Sequence, residues 1–363
     1  MKRVVIVGGG YAGTALARAL DTAAEVVLVE AREKFFHNVA GIRGVVEPAL
    51  LERIALPYDR LLKKGRVVRG GAVALTDRSV KLSNGDVIDG DIVVAATGSR
   101  YASPFKPQTD SVAALIAESR ATHEQLRQAK SIAIVGAGAV GTELAGEIAT
   151  GMRGKKITLI SSTPTLFPGY PENLGRKLAA QLTAMGVTHR LATSARTLKQ
   201  THAPFAGRLD MTSGDPIDAD LIFPVIGAKP VTDLLAVVPG VTRDTLGRAK
   251  VDAWLRPTAS ATLFALGDAA AAGDAMTIVA ITRQEPWLAK AIKALLAGKK
   301  LESLAPYTPW PTPAILIPLG AKKGASVLPV TKKGMVVGPF LTSAVKGKQL
   351  FIPRYRKEFG QSA

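Results

Sequence analysis

Two stretches of the chain share one pattern of apolar and polar positions: an apolar run, a glycine-rich turn and an alanine-rich segment. The first is VVIVGGGYAG at residues 4–13, followed by the apolar run VVLVE at residues 26–30. The second is IAIVGAGAVG at residues 132–141, followed by KKITLIS at residues 155–161. Short apolar runs that alternate with helical segments are typical of buried parallel strands. Each stretch therefore predicts a strand–turn–helix–strand unit.

The turns of both units have the glycine spacing G-x-G-x-x-G. Six glycines carry this spacing: Gly8, Gly10, Gly13, Gly136, Gly138 and Gly141. Such glycines let the backbone turn tightly and approach a pyrophosphate, whose charge is stabilised at the helix N-terminus. An acid about 20 residues further on, as at Glu30, hydrogen-bonds a ribose hydroxyl, whereas the second unit has Ser161 at this position. Two such units predict two dinucleotides, as in a flavoenzyme that takes hydride from a nicotinamide.

The remaining apolar runs complete the predicted architecture. The run DIVVAATGS ends in Thr97-Gly98, DLIFPVIGAKP contains Gly227, and LFALGDAAAAG contains Gly267-Asp268. We predict an α/β fold of two Rossmann-like dinucleotide-binding domains with a small C-terminal β-rich cap. The first domain is expected to be discontinuous, at residues 1–125 and 230–304, and the second to span residues 126–229. The cap would be residues 305–363, with strands at ILIPLG, ASVLPV, GMVVG and QLFIP.

The absence of cysteine excludes several classes of protein. With no cysteine among 363 residues, the chain has no disulfide, no iron–sulfur cluster, no cysteine-based zinc site and no redox-active cysteine pair. Disulfide reductases and sulfide–quinone reductases are therefore excluded. The spacing of His, Asp and Glu predicts no metal site either.

The formal net charge is +18, which suggests an anionic partner such as a membrane surface, a nucleic acid or a phosphorylated cofactor. A solvated basic surface is the alternative. Residues 303–321 are uncharged but contain five prolines, so we do not predict a transmembrane span. The start Met1-Lys2-Arg3 predicts neither a signal peptide nor N-terminal myristoylation. We expect a cytoplasmic protein with peripheral binding to a membrane surface.

By its motifs the chain resembles the two-dinucleotide-binding-domain flavoproteins. The motifs that carry this resemblance are GGGYAG with Glu30, the Thr97-Gly98 exit, GAGAVGTELAGE and LGDAA. Within that family, FFHNVAGIRGVVEP and QLFIPRYRKEFGQ are most similar to the ferroptosis-suppressor branch of the apoptosis-inducing-factor-like proteins. The resemblance implies an NAD(P)H:quinone oxidoreductase that contains FAD, in which hydride passes from the nicotinamide to the flavin and two electrons pass on to a quinone.

The resemblance also implies roles for the motif residues. Gly8, Gly10, Gly13 and Glu30 would hold the FAD pyrophosphate and ribose. Thr97 and Gly98 would border FAD, and Asp268 after Gly267 would accept a hydrogen bond from the ribityl chain. The alternatives are a plain strand exit for the first pair and a helix N-cap for Asp268. Gly136, Gly138 and Gly141 would hold the pyrophosphate of the nicotinamide cofactor.

Three further residues are candidates for contact with the reacting groups. His37 would donate to a reduced flavin or a quinone oxygen, or else it satisfies backbone carbonyls. Glu143 would face the nicotinamide or a domain contact. Phe351 would cover the flavin or the quinone pocket, or else it packs in the core of the cap. We place Phe351 and the basic run that follows on the last strand and tail.

Ser161 bears on the choice of nicotinamide cofactor. An acid here would pair with the 2′-hydroxyl of NADH and repel the 2′-phosphate of NADPH, and a serine does neither. Because Arg153, Lys155 and Lys156 are close in sequence, we expect NADPH to be accepted alongside NADH.

Two other functions stay open at this stage. A basic cap could dock an acidic carrier, which would make the chain a reductase of ferredoxin or rubredoxin. A flavin-bound signalling or nucleic-acid-binding protein belongs to a different class. The sequence has no aromatic-interleaved basic helix, so we do not expect nucleic acid as a partner. The sequence makes no prediction of oligomeric state.

Overall fold

The computed structural model describes residues 1–362. In it, the apolar run before each glycine-rich turn forms the central strand of a five-stranded sheet. The first sheet is wholly parallel. Its strands, in spatial order, are Leu263–Ala265, Ile92–Ala95, Arg3–Val7, Glu25–Glu30 and Arg66–Arg69. Although Leu263–Ala265 comes late in the chain, it pairs with Ile92–Ala95.

The second sheet has the same central arrangement and one antiparallel edge. Its strands, in spatial order, are Val187–Arg190, Lys156–Ile160, Ser131–Val135, Ile217–Pro224 and Phe205–Leu209. Only the pair formed by Phe205–Leu209 and Ile217–Pro224 is antiparallel. Each sheet is covered by apolar side chains on both faces, which explains why its central strands are continuous apolar runs.

The helices cover the sheets and connect their strands. Those outside the C-terminal region are Tyr11–Leu20, Asn38–Val46, Val112–Gln128, Ala139–Gly151, Glu172–Ala184, Asp233–Ala236 and Ile278–Leu296. The two longest begin at hydroxyl caps, since Ser111 and Thr277 accept hydrogen bonds from the backbone of Ala114 and Ala280. These caps set where the helices start.

Short strands form the smaller parts of the fold. An antiparallel pair joins Lys34–Phe36 to Ala55–Pro57, and a three-stranded sheet contains Ala72–Leu75, Ser79–Leu82 and Val87–Asp89. Ala249–Lys250 pairs with Ala270–Ala271. Ser99–Arg100 pairs with Lys229–Pro230. This last ribbon joins the chain just after Gly98 to the chain just after Gly227, where each central sheet ends.

The C-terminal region begins with a sheet and ends with helices. The antiparallel strands Ile315–Leu319, Lys323–Leu328 and Met335–Val337 are followed by the α-helix Pro339–Thr342, the π-helix Ser343–Gly347 and the α-helix Ile352–Glu358. The prediction of a strand at QLFIP was therefore wrong, and the basic run lies on a helix. Leu350 and Phe351 have left-handed backbone angles, with φ of 50° and 61°, which interrupts an extended conformation. Pro353 then occupies the first helical turn, where its missing N–H costs nothing.

Candidate functional site

The two glycine turns have nearly the same backbone. Gly8 and Gly136 have φ of +108° and +114°, which a residue with a side chain rarely adopts. A Cβ at Gly8 would lie 2.4 Å from the carbonyl oxygen of Ala96, and one at Gly136 would lie 2.3 Å from that of Val225. The first glycine of each turn is therefore required, because the turn crosses the adjacent strand too closely for a side chain.

The other two glycines of each turn have separate reasons. A Cβ at Gly13 would lie 1.8 Å from the oxygen of Gly8, so the helix and strand pack through that position. Gly10 and Gly138 differ, because they have φ of −78° and −73° and a Cβ there would meet nothing within 4 Å. Glycine at these two positions keeps open the space in front of the helix N-terminus. That space fits the pyrophosphate of a dinucleotide.

One cavity of about 710 Å³ lies between the two units and the C-terminal region. Gly10 and Thr97 line it from the first unit, Val140 and Glu143 from the second, and Lys346 and Phe351 from the C-terminal region. Gly8, Glu30, Gly98 and Asp268 border it too. The predicted site residues outside this lining are Gly13, His37, Gly136, Gly138, Gly141, Ser161 and Gly267. The fold thus brings most of the sequence-predicted residues of the first unit to one site.

Glu30 is buried behind the first turn and stays ionised. Its carboxylate accepts hydrogen bonds from the Gly9 backbone N–H and from the Arg32 guanidinium, with the Arg32 Nε at 2.7 Å. Burial alone would raise the pKa of Glu30, but the charge and hydrogen bonds of Arg32 hold that pKa below its usual value. A fixed anion therefore sits next to the glycine turn, where an acceptor for ribose hydroxyls is expected.

Asp268 lies in a polar cluster at the wall of the cavity. It accepts the Ser99 hydroxyl at 2.5 Å and lies 3.5 Å from the Lys106 ammonium. Asp268 is in a short 3-10 helix and makes no helix cap, so its carboxylate is available to hydroxyl donors in the cavity. Thr97 donates its hydroxyl to the carbonyl of Val231, which fixes the strand exit. Ser99 and Lys106 were missed by the sequence analysis.

Glu143 forms a buried ion pair with a residue 203 positions away. The Lys346 Nζ donates to Glu143 Oε1 at 2.7 Å and to the carbonyl of Leu316 at 3.0 Å. Burial raises the pKa of Glu143 to about 7, and the positive charge of Lys346 opposes that rise. The carboxyl therefore changes its charge near neutral pH, at the wall of the cavity. Sequence reasoning missed Lys346, because nothing local connects it to Glu143.

One turn further along the same helix, Glu147 forms a second buried ion pair. The Arg43 guanidinium donates to both carboxylate oxygens of Glu147 at 2.9 Å. Arg43 also donates to the carbonyl of Gly347 at 2.8 Å. These contacts join the helix Asn38–Val46 to the helix Ala139–Gly151 and to the π-helix that carries Lys346. Glu147 has no place in the cavity wall, so its role is to hold the parts together.

His37 is buried and has both ring nitrogens occupied. Its Nδ1 lies 2.7 Å from the Tyr11 hydroxyl, and its Nε2 lies 2.6 Å from the carbonyl oxygen of Leu350. A carbonyl only accepts, so Nε2 carries the proton and Nδ1 accepts from Tyr11. Burial lowers the pKa of His37 to about 4, which keeps the ring neutral. This arrangement offers no free nitrogen to a flavin or quinone, contrary to the hypothesis of direct donation.

His37 instead fixes the backbone that presents Phe351. Phe351 lines the cavity and directly follows Leu350, and both have positive φ. Two consecutive non-glycine residues in this conformation cost free energy and persist only where their surroundings impose them. The hydrogen bond from His37 to the Leu350 carbonyl is one such constraint. His37 is therefore a positioning residue in this geometry.

Ser161 follows the last residue of the strand Lys156–Ile160, and its hydroxyl lies 2.8 Å from that of Thr163. The expected cations are not nearby. Lys155 precedes this strand and binds the carbonyls of Arg127 and Ala129, about 20 Å from Ser161 at 3.3 Å per strand residue. The residue beside Ser161 is Arg190, whose carbonyl accepts the Ser161 N–H at 2.9 Å. Arg190 is therefore the basic residue that neighbours Ser161 in the sheet, and its guanidinium donates to the carbonyl of Asp215 at 3.2 Å.

Comparison with known proteins agrees with this geometry. Residues 2–294 match the family described as pyridine nucleotide-disulphide oxidoreductase. The chain belongs to that family. Apoptosis-inducing factor homolog B of Dictyostelium discoideum is 31% identical over 98% of this chain and 96% of its own length. Ferroptosis suppressor protein 1 of Xenopus tropicalis is 26% identical over 99% of this chain and 96% of its own length. The resemblance inferred from the motifs is confirmed.

Solved structures confirm the predicted fold class. Putidaredoxin reductase in its covalent complex with putidaredoxin has a TM-score of 0.66 and 20% identity, covering 82% of this chain and 76% of that chain. A ferredoxin reductase from Rhodopseudomonas palustris has a TM-score of 0.65 and 16% identity, covering 85% of this chain and 78% of that one. At such identities the likeness concerns the fold.

Membership of the pyridine nucleotide-disulphide oxidoreductase family also confirms the two predicted cofactors. The chain is an oxidoreductase that uses FAD and NAD(P)H. Because it has no cysteine, it has no thiol pair for the disulphide chemistry in the family's description. Electrons from the flavin must therefore go to another acceptor.

Proposed function

We propose that this flavoprotein is an NAD(P)H:quinone oxidoreductase. The observation that carries the proposal is the mixed wall of the cavity between the second unit and the C-terminal region. Ile315, Ile317 and Phe351 supply an apolar surface beside the ion pair of Glu143 and Lys346. A flat apolar ring with carbonyl oxygens matches a wall of this kind. The resemblance to the ferroptosis-suppressor branch points to the same acceptor.

The chain's own groups would bind and orient the acceptor. Lys346 has three N–H donors, of which two bond to Glu143 and Leu316. Within residues 1–362 no partner is seen for the third, so it can donate to a quinone oxygen. FAD, when bound, would supply the chemistry of hydride acceptance and two-electron delivery. Phe351 would cover the ring of the acceptor and exclude water from it.

Steady-state NADPH oxidation with different acceptors tests the proposal. We expect a short-chain ubiquinone to accelerate NADPH oxidation far more than ferredoxin or rubredoxin does. Efficient reduction of an iron–sulfur carrier without quinone turnover would show that the acceptor is a protein and overturn the proposal.

Two lysine variants make the test specific to the site. Lys346→Gln should raise KM for the quinone while the yield of bound flavin stays unchanged. Lys348→Gln is the matched control, because Lys348 is exposed and two residues away. Equal quinone kinetics in both variants would remove Lys346 from the acceptor site. Binding to an anionic membrane surface, which the net charge of +18 suggests, is a separate proposal.

A further inference from the structure

The segment at residues 339–348 exposes its apolar residues and buries its polar ones. Phe340 is 88% exposed, and Leu341 and Val345 are 37% and 43% exposed. Thr342, Ser343 and Lys346 of the same segment are buried. Helices on a protein surface ordinarily have the opposite arrangement, with the apolar face inward.

The buried polar side chains fix the orientation of this segment. The Thr342 hydroxyl lies 2.7 Å from the hydroxyl of Ser326 in the central strand of the cap sheet. The Ser343 hydroxyl donates to the carbonyl of Ala321 at 2.7 Å, and Lys346 reaches Glu143. Because every inward polar group has a partner, the segment cannot turn its apolar side inward without breaking these bonds. The apolar face is held toward the outside.

The rest of the C-terminal region also exposes apolar and basic residues. Val330 and Met335, which lie in or next to the hairpin loop that leads into the last strand of the cap, are exposed as well. Exposed lysines belong to the same region of the chain: Lys322, Lys323, Lys332, Lys333 and Lys348. Residues 303–357 contain no Asp or Glu. The region therefore combines protruding apolar side chains with uncompensated positive charge.

We propose that Phe340, Leu341 and Val345, named here the docking face, insert into the surface of an anionic lipid bilayer. Self-association through the docking face would bring two basic regions together, which charge repulsion opposes. An anionic bilayer suits both features, because acyl chains accept the apolar side chains while headgroups attract the lysines. None of the helices within residues 1–362 is long and apolar enough to cross a membrane.

The docking face lies on the outside of the segment whose inner side borders the cavity. Lys346, on the inner side, lines the cavity, and so does Phe351 a few residues later. When the protein is docked on the bilayer, this wall of the cavity would lie on the side of the protein that faces the membrane. If the acceptor is a quinone, as the proposed function states, docking places the acceptor site close to the bilayer, where a quinone with an apolar tail dissolves.

Vesicle cosedimentation of the flavin-loaded protein tests the docking face. We expect binding to mixed phosphatidylcholine–phosphatidylserine vesicles and weak binding to phosphatidylcholine alone. The variant Phe340→Ser/Leu341→Ser should bind the mixed vesicles at least about 10-fold more weakly, because the loss of only two buried CH2 groups, each worth about 0.8 kcal/mol, already corresponds to that factor. Val237→Ser is the matched control, because Val237 is 73% exposed and lies on the helix-capping position after Asp233–Ala236.

The outcomes separate docking from catalysis and from other partners. Unchanged vesicle binding by Phe340→Ser/Leu341→Ser, or no binding by the unaltered protein, would overturn the proposal. Self-association that the double variant abolishes would identify a second copy as the occupant, and tighter binding to an acidic ferredoxin than to vesicles would identify a protein. Reduction of a short-chain quinone in solution should be equal in both variants. If the unaltered protein did not reduce the quinone at all, the proposed function would be contradicted, whereas the result of the vesicle experiment would still stand.

Discussion

The two glycine turns share a backbone and differ in the side chains around them. Both first glycines have φ near +110°, and both middle glycines leave the helix N-terminus open. A Cβ at the third glycine would lie 1.8 Å or 2.0 Å from the oxygen of the first. This backbone provides what any dinucleotide pyrophosphate needs, so it does not by itself distinguish the two cofactors.

The differences begin just outside the turns. The strand after the first turn ends in Glu30, a buried carboxylate, whereas the strand after the second ends at Ile160 and is followed by Ser161. The helix after the second turn carries Glu143 in the cavity wall, whereas the first helix, Tyr11–Leu20, contains no acid. The two units therefore share the backbone that suits any dinucleotide, and they differ in the side chains by which we expect each cofactor to be selected.

The largest expected effect comes from filling the space in front of one turn at a time. Gly10→Val should abolish flavin binding, and Gly138→Val should leave flavin bound but slow its reduction by NADPH about 100-fold or more. Both positions have φ that valine tolerates and no atom within 4 Å of a Cβ. The fold should therefore persist, which circular dichroism checks while the visible spectrum reports flavin and its reduction.

Gly154→Ala is a control outside the cavity, because Gly154 has φ of +83°, open space around its Cβ and no place in the cavity lining. It introduces backbone strain without filling the space before the helix. If Gly138→Val lost its flavin and Gly10→Val kept it, the assignment of the two turns would be reversed.

The second prediction uses the two carboxylates on the helix of the second turn. Glu147→Gln should lower the free energy of unfolding by about 3–5 kcal/mol, since it leaves the buried Arg43 without its counter-charge. Glu143→Gln should change quinone turnover and its pH dependence instead. Chemical denaturation of the two variants measures the difference in stability. Equal destabilisation without a kinetic change would mean that Glu143 is only structural.

The pH dependence has a definite sign. With a pKa raised to about 7 by burial, Glu143 is neutral below pH 7 and charged above it. In the neutral form the positive charge of Lys346 is uncompensated and favours an acceptor that gains electrons. Turnover with quinone should therefore rise as the pH falls through about 7. In Glu143→Gln this inflection should be absent, which a pH profile of quinone-dependent NADPH oxidation measures.

The strand–turn–helix units were predictable because their causes are local. The apolar run of four residues, the glycine-rich turn and the helix after it are all indicated by neighbours in the sequence. The same holds for the caps at Ser111 and Thr277. The strand predicted at QLFIP was wrong, because its apolar residues suit a strand but tertiary contacts hold Leu350 and Phe351 at left-handed backbone angles.

The polar contacts of the site were not predictable in this way. Arg43 and Glu147 are 104 residues apart, and Lys346 and Glu143 are 203 apart, so only the packed fold brings them together. Proximity in sequence also misled, because Lys155 lies at the opposite end of the strand from Ser161. A strand separates its two ends even when few residues lie between them.

The smallest expected effect concerns the residues that end the two strands. Ser161→Glu gives the second unit the acid of the first, and it should shift selectivity toward NADH by about 1–3 kcal/mol. The added carboxylate would repel a 2′-phosphate and accept from a 2′-hydroxyl. The ratio of kcat/KM for NADPH and NADH measures the shift. A strong preference for NADH in the unaltered protein would contradict the premise that Ser161 admits the phosphate.

The reciprocal variant Glu30→Ser gives the first unit the hydroxyl of the second. It should weaken flavin retention during dialysis, because serine cannot replace a carboxylate that binds both the Gly9 N–H and Arg32. A second variant, Arg190→Gln, keeps Ser161 and removes the guanidinium of its neighbour in the sheet. The affinity of the protein for NADPH should fall, and its affinity for NADH should not. Full flavin content in Glu30→Ser, together with equal loss of both nicotinamides in Arg190→Gln, would show that the strand ends do not assign the cofactors. The distinction between the two units would then have to come from the helices, where Glu143 has no counterpart in the first.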